Sequence, residues 1–197
     1  MMTKERLLKL YMVVYILPIM VVGWIKPSMT KFFVGQVDST FLATVDMLSQ
    51  ALVFAVSFAS CSRTLCRLIE KWYYGVLILS LFLDLLIAIA GPEQVVFRYI
   101  AVTINEYLLL ALAGRAMNLI INKTLSGEDL FIFSNKMITG FGVGKFVGAG
   151  IATVYPLVDV GFGMWVNFFN GLFCTPLECY LFYCLKKVIE QEQRTDA

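Results

Sequence analysis

The sequence is 197 residues long; 59% of them are apolar, 15% are charged, and the formal net charge is +2. A soluble domain carries about 25% charged residues, and a globule of this length has too little interior to hide so much apolar side chain from water. Disordered, collagen-like and disulfide-scaffold classes are excluded and an ordinary soluble enzyme is disfavoured, so the expected class is an all-α integral membrane protein.

Six continuous apolar runs predict six transmembrane helices in a single domain over residues 1–197. They cover about 7–25, 40–60, 73–91, 95–117, 137–155 and 161–185. Each is long enough to cross about 30 Å of hydrocarbon as a helix. Lipid offers the backbone no hydrogen-bond partner, so helix is the only form open to such runs. A transmembrane barrel needs short alternating segments instead.

The first run follows Lys4, Arg6 and Lys9. No small-residue cleavage site follows it at Lys26-Pro27-Ser28, so it reads as an uncleaved helix that Pro18 kinks. The second carries Asp46, Ser49, Gln50, Ser57 and Ser60 along one broad face, suited to a cavity wall or a helix interface. Asp46 lies only about 9 Å below the outer end of its run. In the third, Asp84 shares a face with Ser80 and Ala88. In the fourth, Tyr99, Thr103 and Glu106 form a polar face by i, i+4, i+7 spacing. The fifth holds Lys145 and the small-residue series Gly140, Gly144 and Gly148, a device for close helix packing. In the sixth, Glu178 shares a face with Asn167, Gly171 and Cys174.

Charge sets the expected topology. Twelve of the sixteen Lys and Arg fall on the side of the two termini: Lys4, Arg6, Lys9, Arg63, Arg67, Lys71, Arg115, Lys123, Lys136, Lys186, Lys187 and Arg194. Lys26, Lys31 and Arg98 fall on the other side, and Lys145 within a span. This bias places both termini in the cytoplasm and the chain in the plasma membrane. Trp24, Tyr155 and Trp165 then mark the outer interface, and Trp72, Tyr73, Tyr74 and Tyr183 the inner one.

Histidine is absent, which removes the base or ligand that intramembrane proteases and lipid phosphatases of the histidine type require. No phosphate loop occurs. The five cysteines make no C-x-x-C pair and read as packing residues. No enzyme activity, cofactor, metal or nucleic-acid partner is expected. A charge at mid-membrane costs about 2.5–3.5 kcal/mol on insertion scales, so buried ionisable groups mark sites. Glu106 and Lys145 lie at similar depths on consecutive helices, and an ion pair or a shared cavity is expected of them. With Asp46, Tyr99 and Thr103 they form the expected substrate or ion pathway. Asp84 and Glu178 are candidate proton carriers.

Six spans with both ends inside resemble half of a major facilitator superfamily transporter. The short basic connection from Ser62 to Lys71 occupies the place of that family's gate motif and has similar arginine spacing, without its glycines and aspartate. Gly144-Lys145-Phe146-Val147-Gly148-Ala149 resembles the antiporter pattern G-P-x-x-G-G, with Lys145 where the proline stands. The resemblance implies a cytoplasmic gate at Arg63, Arg67 and Arg115 and a cavity lined by the first and fourth helices. It also implies a homodimer, or a partner membrane subunit, moving a small molecule or ion by alternating access. Two other functions fit the same spans: a substrate-binding membrane subunit of a vitamin-type importer, and an immunity or assembly protein that transports nothing.

Overall fold

The computed structural model describes residues 3–59, 62–91, 93–155 and 159–195, with the side chains of 59, 63 and 193–195 excepted. Ser60 and Cys61, and the side chain of Arg63, therefore lie outside the described residues. Among the described residues the chain forms six helices: α1 (Lys4–Gln36), α2 (Ser39–Ala59), α3 (Arg63–Ile89), α4 (Val95–Thr124), α5 (Gly127–Val154) and α6 (Val160–Thr195). All six are long and apolar enough to cross a membrane. Within α4, residues Asn105–Leu109 form one π-helical turn.

The helices outrun the apolar segments. The first run ends before Lys26-Pro27, yet α1 continues for eleven residues past Ile25, with both Pro18 and Pro27 inside it. The apolar Phe32-Phe33-Val34 beyond the lysine gives the extension something to bury, and Phe33 is buried. At 1.5 Å per residue α1 is about 50 Å long, well beyond the hydrocarbon thickness.

Packing follows a regular scheme. Helix α1 packs on α5 and α6, α4 packs on α2 and α3, and α3 packs on α6. Exchanging the first three helices for the last three preserves these pairings, although α4 also packs on α6 without a matching contact between α1 and α3. Helices α1, α3, α4 and α6 thus form a central group, with α5 outboard on α1 and α2 outboard on α4. The outer faces of these two are apolar and open: Phe54, Phe58, Phe131 and Phe146 are each at least 66% exposed. Such a surface belongs in lipid rather than water.

The glycine series of α5 is what seats it on α1. Gly144 and Gly148 are buried against Ile16, Ile19, Met20 and Gly23, backbone against backbone at Gly148. Gly142 and Gly150, on the other side of α5, face open space.

Two apolar clusters close the central group. One, toward the end that carries both termini, is built from Leu7, Tyr11 and Val14 of α1, Tyr73 and Leu77 of α3, Met117 and Ile120 of α4, and Leu181, Phe182 and Leu185 of α6. Tyr73 stacks on Phe182 there with ring centroids 3.9 Å apart. The other, toward the opposite end, contains Phe33, Ile87, Ala88, Ala101 and Met164.

Ion pairs tie the termini-bearing end together. Lys4 meets Glu192 at 3.4 Å, which joins the start of α1 to the end of α6. Glu70 of α3 sits between Lys123 of α4 (2.6 Å) and Lys186 of α6 (3.8 Å). At the opposite end, the Trp24 indole donates to the Tyr155 carbonyl at 2.9 Å. Buried Arg98 donates to the carbonyl of Ala90, satisfying a group that the end of α3 leaves without a helical partner.

Candidate functional site

The polar residues of the central group converge on one cavity of about 110 Å³, lined by α1, α3, α4 and α6. Its walls carry Lys26, Asp84, Glu106 and Glu178 together with Ser80, Asn105, Asn167, Asn170 and Thr175. Its apolar lining includes Val22, Ile25, Leu77, Ile87 and Met164, and the two clusters described above bracket it.

Two constellations give the cavity its chemistry. In the first, Lys26 Nζ and Glu106 Oε2 pair at 3.2 Å, joining α1 to α4. Both side chains remain partly accessible, 53% and 26% exposed, so the pair lies at an open seam between the helices. Glu106 stands on the π turn. A π turn inserts an extra residue, which rotates the groups that follow it relative to an unbroken helix. Lys26 and Glu106 both lie about 15 Å from the ends of α1 and α4 at the opposite side of the bundle, so their depths match.

In the second constellation, Asp84 Oδ1 accepts hydrogen bonds from Asn105 Nδ2 (2.8 Å) and Asn167 Nδ2 (2.9 Å). Asn105 Oδ1 accepts from the Ser80 hydroxyl at 2.5 Å. Three helices meet at this carboxylate. Its Oδ2 faces Gly171, whose missing side chain leaves room beside it. The network leaves none of its own polar atoms buried without a partner; the one such side-chain atom among the described residues is Arg98 Nε. Glu178 differs from Asp84. Tyr11, Tyr15 and Tyr73 lie within electrostatic reach of it, yet no hydrogen bond or ion pair engages it among the described residues.

The expected partner of Glu106 is thus replaced. Helices α4 and α5 are consecutive but do not pack together, because the glycine series carries α5 onto α1. The Lys145 backbone lies against Gly23 of α1, but its side chain is exposed, with the ammonium 4.3 Å from the Phe141 ring centroid. Lys26, assigned from the sequence to the outer surface, takes its place because α1 does not stop at Ile25. The Tyr99–Thr103–Glu106 face divides at the π turn. The Tyr99 hydroxyl donates to Asp46 on α2 at 2.8 Å, Thr103 is buried, and Glu106 reaches α1. Asp46 and Tyr99 therefore join α2 to α4 rather than lining the cavity.

Asp84 and Glu178 line the cavity together, although they come from the third and sixth helices rather than the first and fourth that the resemblance implies. Of the expected gate residues, Arg115 donates to the Ser57 hydroxyl at 2.9 Å, a link from α4 to α2, and Arg67 is exposed. Sequence reasoning passed over Asn105. The available signal was a carboxamide in the middle of an apolar run.

Among the described residues no group of three or more His, Cys, Asp or Glu side chains is arranged to hold a metal ion. Compared with protein-family models, curated proteins and solved structures, the chain matches none.

Proposed function

We propose that the chain is one half of a membrane transporter. Two copies, or one copy and a partner membrane subunit, assemble side by side and move a small solute by alternating access through the α1/α3/α4/α6 cavity. The observation that carries this reading is the cavity itself: charged and amide groups from four membrane-crossing helices meet between two apolar closures. Ionisable groups held at that depth are costly and mark pathways. The packing scheme supports the same reading. Three spans reverse the direction of the chain, so the matching of α1–α5 with α4–α2 and of α1–α6 with α4–α3 has the form of an inverted repeat, broken only by the α4–α6 contact. Transporters place their sites at the interface between such repeats.

In this reading both termini face the cytoplasm of the plasma membrane, as the basic side demands. The open apolar faces of the outboard helices α2 and α5 form the contact between halves. Lys145, whose charge is otherwise turned toward lipid, then finds its polar surroundings there, opposite Asp46 of the partner copy at a similar depth. Asp84 and Glu178 take up and release protons during the cycle.

The test is flux through purified full-length chain in liposomes, with cationic, neutral and anionic four-carbon solutes supplied outside. The reading expects uptake of at least one class above that of protein-free liposomes, and a loss of most of that uptake in Glu106→Gln. Uptake of none of the three refutes it. Tight solute binding without flux transfers the chain to the binding-subunit reading.

A further inference from the structure

The charge balance of the cavity narrows the kind of solute. Three carboxylates line it, Asp84, Glu106 and Glu178, against a single basic residue, Lys26. Lys26 is committed to Glu106 at 3.2 Å. Asp84 is held only by neutral amides, and Glu178 bonds to nothing among the described residues. The remaining polar lining, Asn170 and Thr175, carries no charge that offsets them. With Asp84 and Glu178 deprotonated, an anion entering this space meets two uncompensated carboxylates, and a neutral solute leaves them uncompensated.

The orientation of the amides selects among cations. Asn105 and Asn167 both turn their NH2 groups to Asp84 Oδ1. A carboxylate has no hydrogen to give, so the donor side of each amide must face it. Two N–H donors at that oxygen crowd out a bare metal ion, which needs several converging oxygens. Both amide bonds go to Oδ1, so Asp84 Oδ2, beside Gly171, accepts no hydrogen bond from the described residues. One open acceptor oxygen suits an N–H donor carrying positive charge. Glu178 lies seven residues along α6 from Gly171, a rise of about 10 Å. A short extended diamine with a hydrogen bond of about 3 Å at each end covers a span of that order.

We propose that the cavity binds an aliphatic ammonium compound, with one ammonium on Asp84 Oδ2 and space for a second on Glu178. The proposal deepens the transport reading and rests on it only for the meaning of the site. Binding of a diamine without flux upholds the proposal and fails that reading; flux of a neutral or anionic solute does the reverse.

Calorimetric titration of the full-length chain in lipid nanodiscs tests it. The probes are 1,4-diaminobutane, butylamine, 1,4-butanediol, succinate and sodium ion. The diamine is expected to bind at least about tenfold more tightly than butylamine, and the diol, succinate and sodium not to compete with it. Asp84→Asn and Glu178→Gln, which keep side-chain shape, should each reduce diamine affinity by about tenfold or more, toward that of the monoamine. Circular dichroism of each variant, matching that of the parent chain, separates lost binding from lost folding. Absent diamine binding, equal binding of the diol or succinate, full displacement by sodium, or diamine affinity unchanged in both folded variants overturns the proposal.

Discussion

Adding one methyl group at Gly148 tests how α5 is held on α1. A Cβ built there runs into the carbonyl oxygen of Met20 and lies 2.9 Å from the Trp24 nitrogen and 3.0 Å from the Gly23 carbonyl carbon. Comfortable separations between carbon atoms are about 3.5–4.0 Å. All three obstacles are backbone atoms, so no rotamer change relieves the overlap and the helices must separate. Overpacking of this kind costs about 1–3 kcal/mol. Replacing a helical glycine by alanine returns about 0.5–1 kcal/mol. Gly148→Ala should therefore be destabilising by about 1–1.5 kcal/mol net, taking the middle of the first range. Gly142→Ala meets nothing within 4 Å and keeps only the gain. At Gly140 and Gly144 the nearest obstacles are side-chain atoms of Ile16 and Ile19, at 2.8 and 3.1 Å. These can shift, so both variants should fall between the extremes. Reversible unfolding in mixed micelles, followed by helical circular dichroism, gives the order. Equal stabilities for Gly148→Ala and Gly142→Ala, or the reverse order, would refute the seating of α5 on α1.

Four other outcomes follow from the same geometry. Lys26→Met strands Glu106 at the seam, so it should destabilise more than Lys26→Met combined with Glu106→Gln; a double-mutant cycle measures the coupling, which additive effects would disprove. Asn167→Ala removes a donor to Asp84 and should cost about 1–3 kcal/mol in unfolding free energy. Glu70→Gln releases Lys123 and Lys186 at the termini-bearing end; its destabilisation, read by thermal unfolding, should shrink as salt is raised. Lys145→Leu gives up only the Phe141 ring contact within the chain and should change unfolding stability little, while the proposed contact between copies expects a lower cross-linked dimer fraction in liposomes.

Much of the architecture was legible in the sequence. Hydropathy alone separates the six spans, because lipid leaves the backbone no alternative to helix. The Gly140–Gly144–Gly148 series announced a close helix contact, but a small-residue series does not name its partner. Consecutive helices are usual neighbours, which led from Glu106 to Lys145. The partner is instead α1, and the displacement of α5 passes the ion pair to Lys26. Lys26 escaped notice because a charge followed by proline looks like the end of a span, whereas α1 continues to Gln36. The π turn has no residue signature in Asn105–Leu109, so the rotation that divides Tyr99 from Glu106 was not readable from spacing. The Asp84 network draws single residues from three helices, and no local pattern joins Asp84 to Asn105 and Asn167.

Accessibility of the cavity from the two faces of the membrane tests the account most directly. In a cysteine-free background, Asn170→Cys places a thiol in the cavity wall, and Phe146→Cys places one midway along the 137–155 apolar run of α5, on its exposed surface. Chain reconstituted in one orientation is treated with a membrane-impermeant thiol reagent, first from one side and then from the other. The account predicts that the thiol at 170 reacts from both sides and that the thiol at 146 reacts from neither. No reaction at 170 from either side, or reaction from one side alone under all conditions, would contradict it.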